Sequence, residues 1–68
     1  MTDNPSYKVR VLFTDNSWVE FYADSSYENV ANGRVLVWDD VLIDGKRLKY
    51  YSIPVHRIKS VEEKNIAE

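Results

Sequence analysis

Three places in this 68-residue chain carry residue types that do chemistry. The only histidine, His56, sits in SIPVHRIK; Asp39, Asp40 and Asp44 cluster in DDVLIDG; and Gly45-Lys46 has the ending of a phosphate loop. A histidine base needs a nucleophile or a carboxylate held beside it by a rigid frame, and the cations Arg57 and Lys59 are what stand near His56. Read as part of a turn, it needs nothing. Paired carboxylates can do acid–base work, but no nucleophile or oxyanion motif accompanies Asp39 and Asp40. A calcium loop needs about six oxygens at set spacing around a glycine, and DDVLIDG lacks that pattern. A bend followed by a turn accounts for the three aspartates. Gly45-Lys46 lacks both the earlier glycine and the following Ser or Thr of a phosphate loop.

Composition narrows the chemistry further. With no cysteine and one histidine, thiolate zinc sites, disulfides and histidine metal sites are not expected. The expectation is therefore no catalytic residue, no metal, no cofactor and no small-molecule substrate. The formal charge of −2 comes from interspersed acids and bases, without the basic stripe of a duplex nucleic-acid binder. The longest apolar runs are too short to cross a bilayer, and MTDNPSYK has neither the basic nor the apolar region of a signal peptide. No membrane association is expected, and the expected location is the cytoplasm.

One surface stands out. In YKVRVLF, Lys8, Arg10 and Leu12 alternate with Tyr7, Val9, Val11 and Phe13; in WVEFYA, Trp18, Glu20 and Tyr22 alternate with Val19, Phe21 and Ala23. If the two strands pair, Lys8, Arg10, Trp18, Glu20 and Tyr22 share an outward face. Exposed aromatics beside cations suit a protein-binding hot spot, or a platform on which unpaired bases stack. The plainer reading is that Trp18 covers one end of the fold while Tyr22 lies against Arg10 in a cation–π contact.

The elements that would position this face are strands. A three-residue loop, Asp15 to Ser17, keeps both apolar faces on one side and would pair Phe13 with Val19 and Val11 with Phe21. Ser25-x-x-Glu28 has the form of a helix capping box, but Asn32-Gly33 between ENVA and RVLV is a stronger hairpin signal. A hairpin turning at Asn32-Gly33 is expected there. A second turns at Asp44-Gly45, pairing Ile43 with Lys46, Val41 with Leu48, Asp40 with Lys49 and Trp38 with Tyr51. The apolar face of this strand swaps from Leu36 and Trp38 to Val41, which calls for a bulge or sharp bend at Asp39-Asp40. Pro54 cannot donate to a ladder and ends its strand; PVHR forms one tight turn, and IKSVEE returns with Ile58 and Val61 inward.

Together, KVRVLFTDNSWVEFYAD, GRVLVW and YSIPVHRIKSVEE resemble SH3-like small barrels, the group that includes Sm-like and Tudor-like domains. More narrowly they look like small bacterial and phage proteins with a V-x-F-x-D-G-S turn and a closing I-P-x-x-x-I-x-x-V-E, with Asn16 where glycine is usual. The glycine-bearing RNA motifs of Sm proteins and the ALYDY-like run of eukaryotic SH3 domains are absent. The resemblance implies an all-β barrel of about five strongly bent antiparallel strands, with a 3₁₀ turn before the last. It would occupy residues 7–63, between tails at 1–6 and 64–68. The functional expectation is a non-enzymatic module for binding a protein partner or for self-association; the alternative is a weak binder of single-stranded nucleic acid.

Overall fold

The computed structural model describes residues 5–66, so the outer parts of both expected tails lie outside the described residues. The chain is all β, with no α-helix among the described residues, and curls into a half-barrel. Its strands are β1 (Tyr7–Phe13), β2 (Trp18–Ala23), β3 (Glu28–Val30), β4 (Val35–Ile43), β5 (Lys46–Pro54) and β6 (Ile58–Asn65). One 3₁₀ turn, Val55–Arg57, separates β5 from β6 where PVHR stands in the sequence. The sheet runs β3-β4-β2-β1-β6, with β5 on the other edge of β4.

The alternation in β1 and β2 turns one face inward, fully buried at its centre and half-buried at Tyr7, Phe13 and Val19. Val9, Val11, Phe21 and Ala23 join Leu36, Trp38, Val41 and Ile53 in the core. Phe21 meets the edges of Trp38 and Tyr51 at ring-centroid distances of 5.1 and 5.2 Å. Burying the Trp38 ring, at ~200 Å² and ~25 cal/mol per Å², is worth roughly 5 kcal/mol before ordering costs. In so short a chain one such ring carries much of the core.

The β1–β2 register differs from the expected one by two residues: Val11 pairs with Val19 and Val9 with Phe21. The loop is still three residues long but comprises Thr14, Asp15 and Asn16, closed by the Phe13 N–H donating to the Ser17 carbonyl at 2.8 Å. Such a loop ends on a residue with positive φ. Asn16 takes that role at φ 72°, a conformation Asn tolerates better than Ser17 would. Because the shift is even, the buried face is unchanged.

The β3–β4 connection is a hairpin rather than a helix, but its turn is wider than Asn32-Gly33. Ala31, Asn32 and Gly33 all have positive φ, and the Gly33 N–H donates to the Val30 carbonyl. The left-handed pair at the tip is therefore Ala31-Asn32. The Arg34 carbonyl accepts from the Val55 N–H at 2.8 Å, tying this turn to the 3₁₀ turn.

In the β4–β5 hairpin, Ile43 faces Lys46, Val41 faces Leu48 and Trp38 faces Tyr51, as the sequence implies. Asp40 and Lys49 do not pair in the ladder, because Asp40 sits at φ 51° and turns its peptide away. The pairing before and after the bend keeps one continuous register, and Leu48, Tyr51 and Ile53 swap faces in step with β4. It is thus a shared bend, with no residue inserted in either strand. The bend also divides one edge of β4, whose first half pairs with β3 and whose second half pairs with β2 through Leu42–Tyr22 and Val41–Ala23.

β6 carries a bulge. Leu12 pairs with Ser60 but Phe13 pairs with Ile58, leaving Lys59 extra. That insertion lets both Ile58 and Val61, three positions apart, pack against the core. The strand runs past the expected end, through Asn65, and the Ile66 N–H donates to the Ser6 carbonyl at 2.8 Å. Residues 65 and 66, within the expected tail, are therefore paired to the start of the chain.

Candidate functional site

The outward face of β2, β1 and β6 forms three cross-strand rows. Trp18 lies opposite Leu12 and then Ser60; Glu20 opposite Arg10 and then Glu62; Tyr22 opposite Lys8 and then Lys64. Pairing thus brings Lys8, Arg10, Trp18, Glu20 and Tyr22 onto one surface. Four residues that the candidate set left out, Leu12, Ser60, Glu62 and Lys64, share it. The alternation already placed Leu12 outward beside Arg10, but Ser60, Glu62 and Lys64 join only through β1–β6 pairing.

Trp18 is 56% exposed, so it does not cap the half-barrel. The Arg10 guanidinium lies over its ring, 4.8 Å from the centroid. The cation–π partner of Arg10 is thus Trp18 and not Tyr22. The cause is the diagonal neighbourhood on the sheet: Arg10 sits one row from both aromatics, and Glu20 anchors its Nη2 at 3.2 Å. Trp18, Arg10, Leu12, Ser60 and Glu62 line an open depression of about 290 Å³. Its lining combines the Leu12 and Trp18 side chains with one guanidinium, one hydroxyl and one carboxylate.

The charges of the face are largely internally matched. Glu20 Oε2 receives both Arg10, at 3.2 Å, and Lys8 Nζ, at 3.7 Å. Such exposed pairs contribute little stability, but they lower the positive potential that a phosphate chain would feel.

The other candidates lie elsewhere. His56 is exposed in the 3₁₀ turn, Asp39 and Asp40 are exposed at the β4 bend, and Asp44 is exposed at the hairpin tip. Among the described residues no three His, Asp or Glu side chains converge as a metal ion would require. The acid with the richest set of partners is one the sequence reading passed over, Glu63. It accepts from the Trp38 indole N–H at 2.6 Å, the Ser26 hydroxyl at 2.7 Å and the Tyr27 N–H at 3.1 Å. Its role is structural, since all of its donors belong to the fold. The available signal was that a buried tryptophan needs an acceptor and that an inward position on β6 carries a carboxylate.

Among the described residues no helix is long and apolar enough to cross a membrane. No protein-family model, curated protein or solved structure matches the chain.

Proposed function

We propose that this chain is a non-enzymatic SH3-like barrel of the cytoplasm that acts as a protein-interaction module, docking a partner through the Trp18 face. The observation that carries the reading is the 56% exposed Trp18. The Arg10 guanidinium lies over its ring, and Leu12 stands opposite it in the lining of the same depression. A large ring with only two rotatable side-chain bonds loses little side-chain entropy on docking, the usual character of an interface anchor. The shared bend of β4 and β5, the 3₁₀ turn and the pairing of β6 with β1 support the SH3-like assignment. The pairing of Glu20 with both Lys8 and Arg10 favours a protein over single-stranded nucleic acid.

The test starts from proteins retained by the immobilised chain, each purified and titrated against wild type, Trp18→Ala and a Tyr50→Ala control. A specific partner should lose about 30-fold in affinity or more with Trp18→Ala, the size of a hot-spot loss of ~2 kcal/mol. It should be indifferent to Tyr50→Ala. Partners unaffected by Trp18→Ala would sink the reading.

A further inference from the structure

A second apolar surface lies on the outward side of β3, β4 and β5. In VLVW, residues 35–38, every residue is apolar, the pattern of a strand covered on both faces. Leu36 and Trp38 fill the core. Val35 and Val37 face the other way, with Val30 across from Val35 on one side and Pro54 on the other. None of Val30, Val35 and Val37 takes part in the core cluster. Val30 is 39% exposed, and Tyr50, opposite Asp39 on the same face, is 64% exposed. Val35, Val37 and Pro54 are half-buried between them, and contiguous apolar surface of this kind is what interfaces use.

The charges around it say what covers it. Arg34 stands at one end of the Val35–Val37 stretch; Asp39 stands at the other, and Glu28 lies opposite Val37 near that acidic end. All three are exposed, and among the described residues ion pairing is confined to Lys8, Arg10 and Glu20. A second copy of the chain, turned antiparallel about a two-fold axis, brings Val35 over Val37 of the other copy. The same operation sets Arg34 against the acidic end of the other copy, twice over. This is the self-complementarity that an isologous interface demands.

We propose that the chain forms a two-fold homodimer through the Val30, Val35, Val37, Pro54 and Tyr50 face, with Arg34 and Asp39 exchanged between copies. The Trp18 face lies on the opposite set of strands, β2, β1 and β6, and stays free in the dimer. The inference therefore stands independently of the partner proposed above.

The experiment is sedimentation equilibrium on the full chain over a wide concentration range, with NMR spectra confirming that each variant is folded. Wild type should pass from monomer to dimer, and Val37→Lys should remain monomeric. Arg34→Glu and Asp39→Arg should each raise the dissociation constant about tenfold or more, and the double variant should recover most of that loss. Trp18→Ala should dimerise like wild type. If Val37→Lys does not fold, the two exposed charge variants and their double still read the interface. A chain monomeric up to about 1 mM, a dimer that survives Val37→Lys in folded protein, or one abolished by Trp18→Ala overturns the proposal. So does a double variant no better than the singles. Binding of a different protein by a chain that stays monomeric alone overturns it as well.

Discussion

The indole N–H of Trp38 donates to Glu63 Oε2 across 2.6 Å, tying the buried ring of β4 to the last strand. The same carboxylate holds Ser26 and the Tyr27 N–H, and the Tyr27 ring meets the edge of Trp38 at 5.8 Å. β6 has no backbone ladder to β3, so this carboxylate joins two parts of the half-barrel that the sheet leaves apart. Replacing Glu63 by Ala strands a buried donor and frees the 26–27 segment. The expected cost is ~2–3 kcal/mol in urea denaturation. Glu63→Gln keeps one acceptor oxygen and should lose less. An Ala variant as stable as wild type would show that the clamp contributes nothing.

Ala31 is the one residue with positive φ among the described residues that is not Gly, Asn or Asp. Its β-carbon sits against the following carbonyl at φ 56°. Ala31→Gly should therefore stabilise the chain by ~0.5–1 kcal/mol, net of the extra entropy of the unfolded glycine. Thermal unfolding checks this, and a lower midpoint would contradict it.

The Ser17 hydroxyl donates to Asp15 Oδ1 at 2.5 Å and the Ser17 N–H at 2.9 Å. First the hydroxyl, then the amide and the nearby Arg57 charge hold the Asp15 carboxyl below its ordinary 3.8. A carboxylate depressed in the folded state adds stability above its unfolded pKa, and the contribution disappears as pH falls through the folded value. An NMR titration should give a midpoint for Asp15 under 3.8. Asp15→Asn should flatten the loss of stability at pH below about 4. A midpoint at or above the ordinary value removes the basis of this prediction.

His56 is exposed and stands in the 3₁₀ turn. His56→Ala should change stability by no more than about 1 kcal/mol. A loss of several kcal/mol, or loss of a measured activity in folded protein, would give this residue a role it is not assigned here.

A short single-stranded oligonucleotide should show no detectable binding at physiological salt, because Glu20 already occupies both Lys8 and Arg10. Fluorescence anisotropy across a salt series is the measurement. Micromolar binding that weakens about tenfold over a few-fold rise in salt would reverse the choice of partner class, since release of counterions produces that slope.

The sequence by itself determined which side of each long strand is buried. Period-two alternation sets the parity of β1 and β2, and parity is all that burial of one face requires. Asp44-Gly45 set the β4–β5 register, since a two-residue turn leaves one pairing. The aspartate pair marked the bend, because two successive polar residues interrupt an apolar strand only where its faces exchange. Parity does not choose between registers two residues apart. The left-handed conformation of Asn16 made that choice, and the wider turn at Ala31 comes with an Arg34 carbonyl that accepts from the distant Val55 N–H.

Only the tertiary structure decided which residues meet across distant strands. Glu62 reached the Trp18 depression through β6 pairing with β1, and Glu63 reached Trp38 across 25 positions of sequence. The outward Val35–Val37 face became visible only once β3 and β5 flanked β4. Local pattern reports the solvent preference of a residue and its neighbours. Beyond the hairpins it holds no information on which other strand lies alongside, because that is set by how the whole sheet curls around one buried tryptophan.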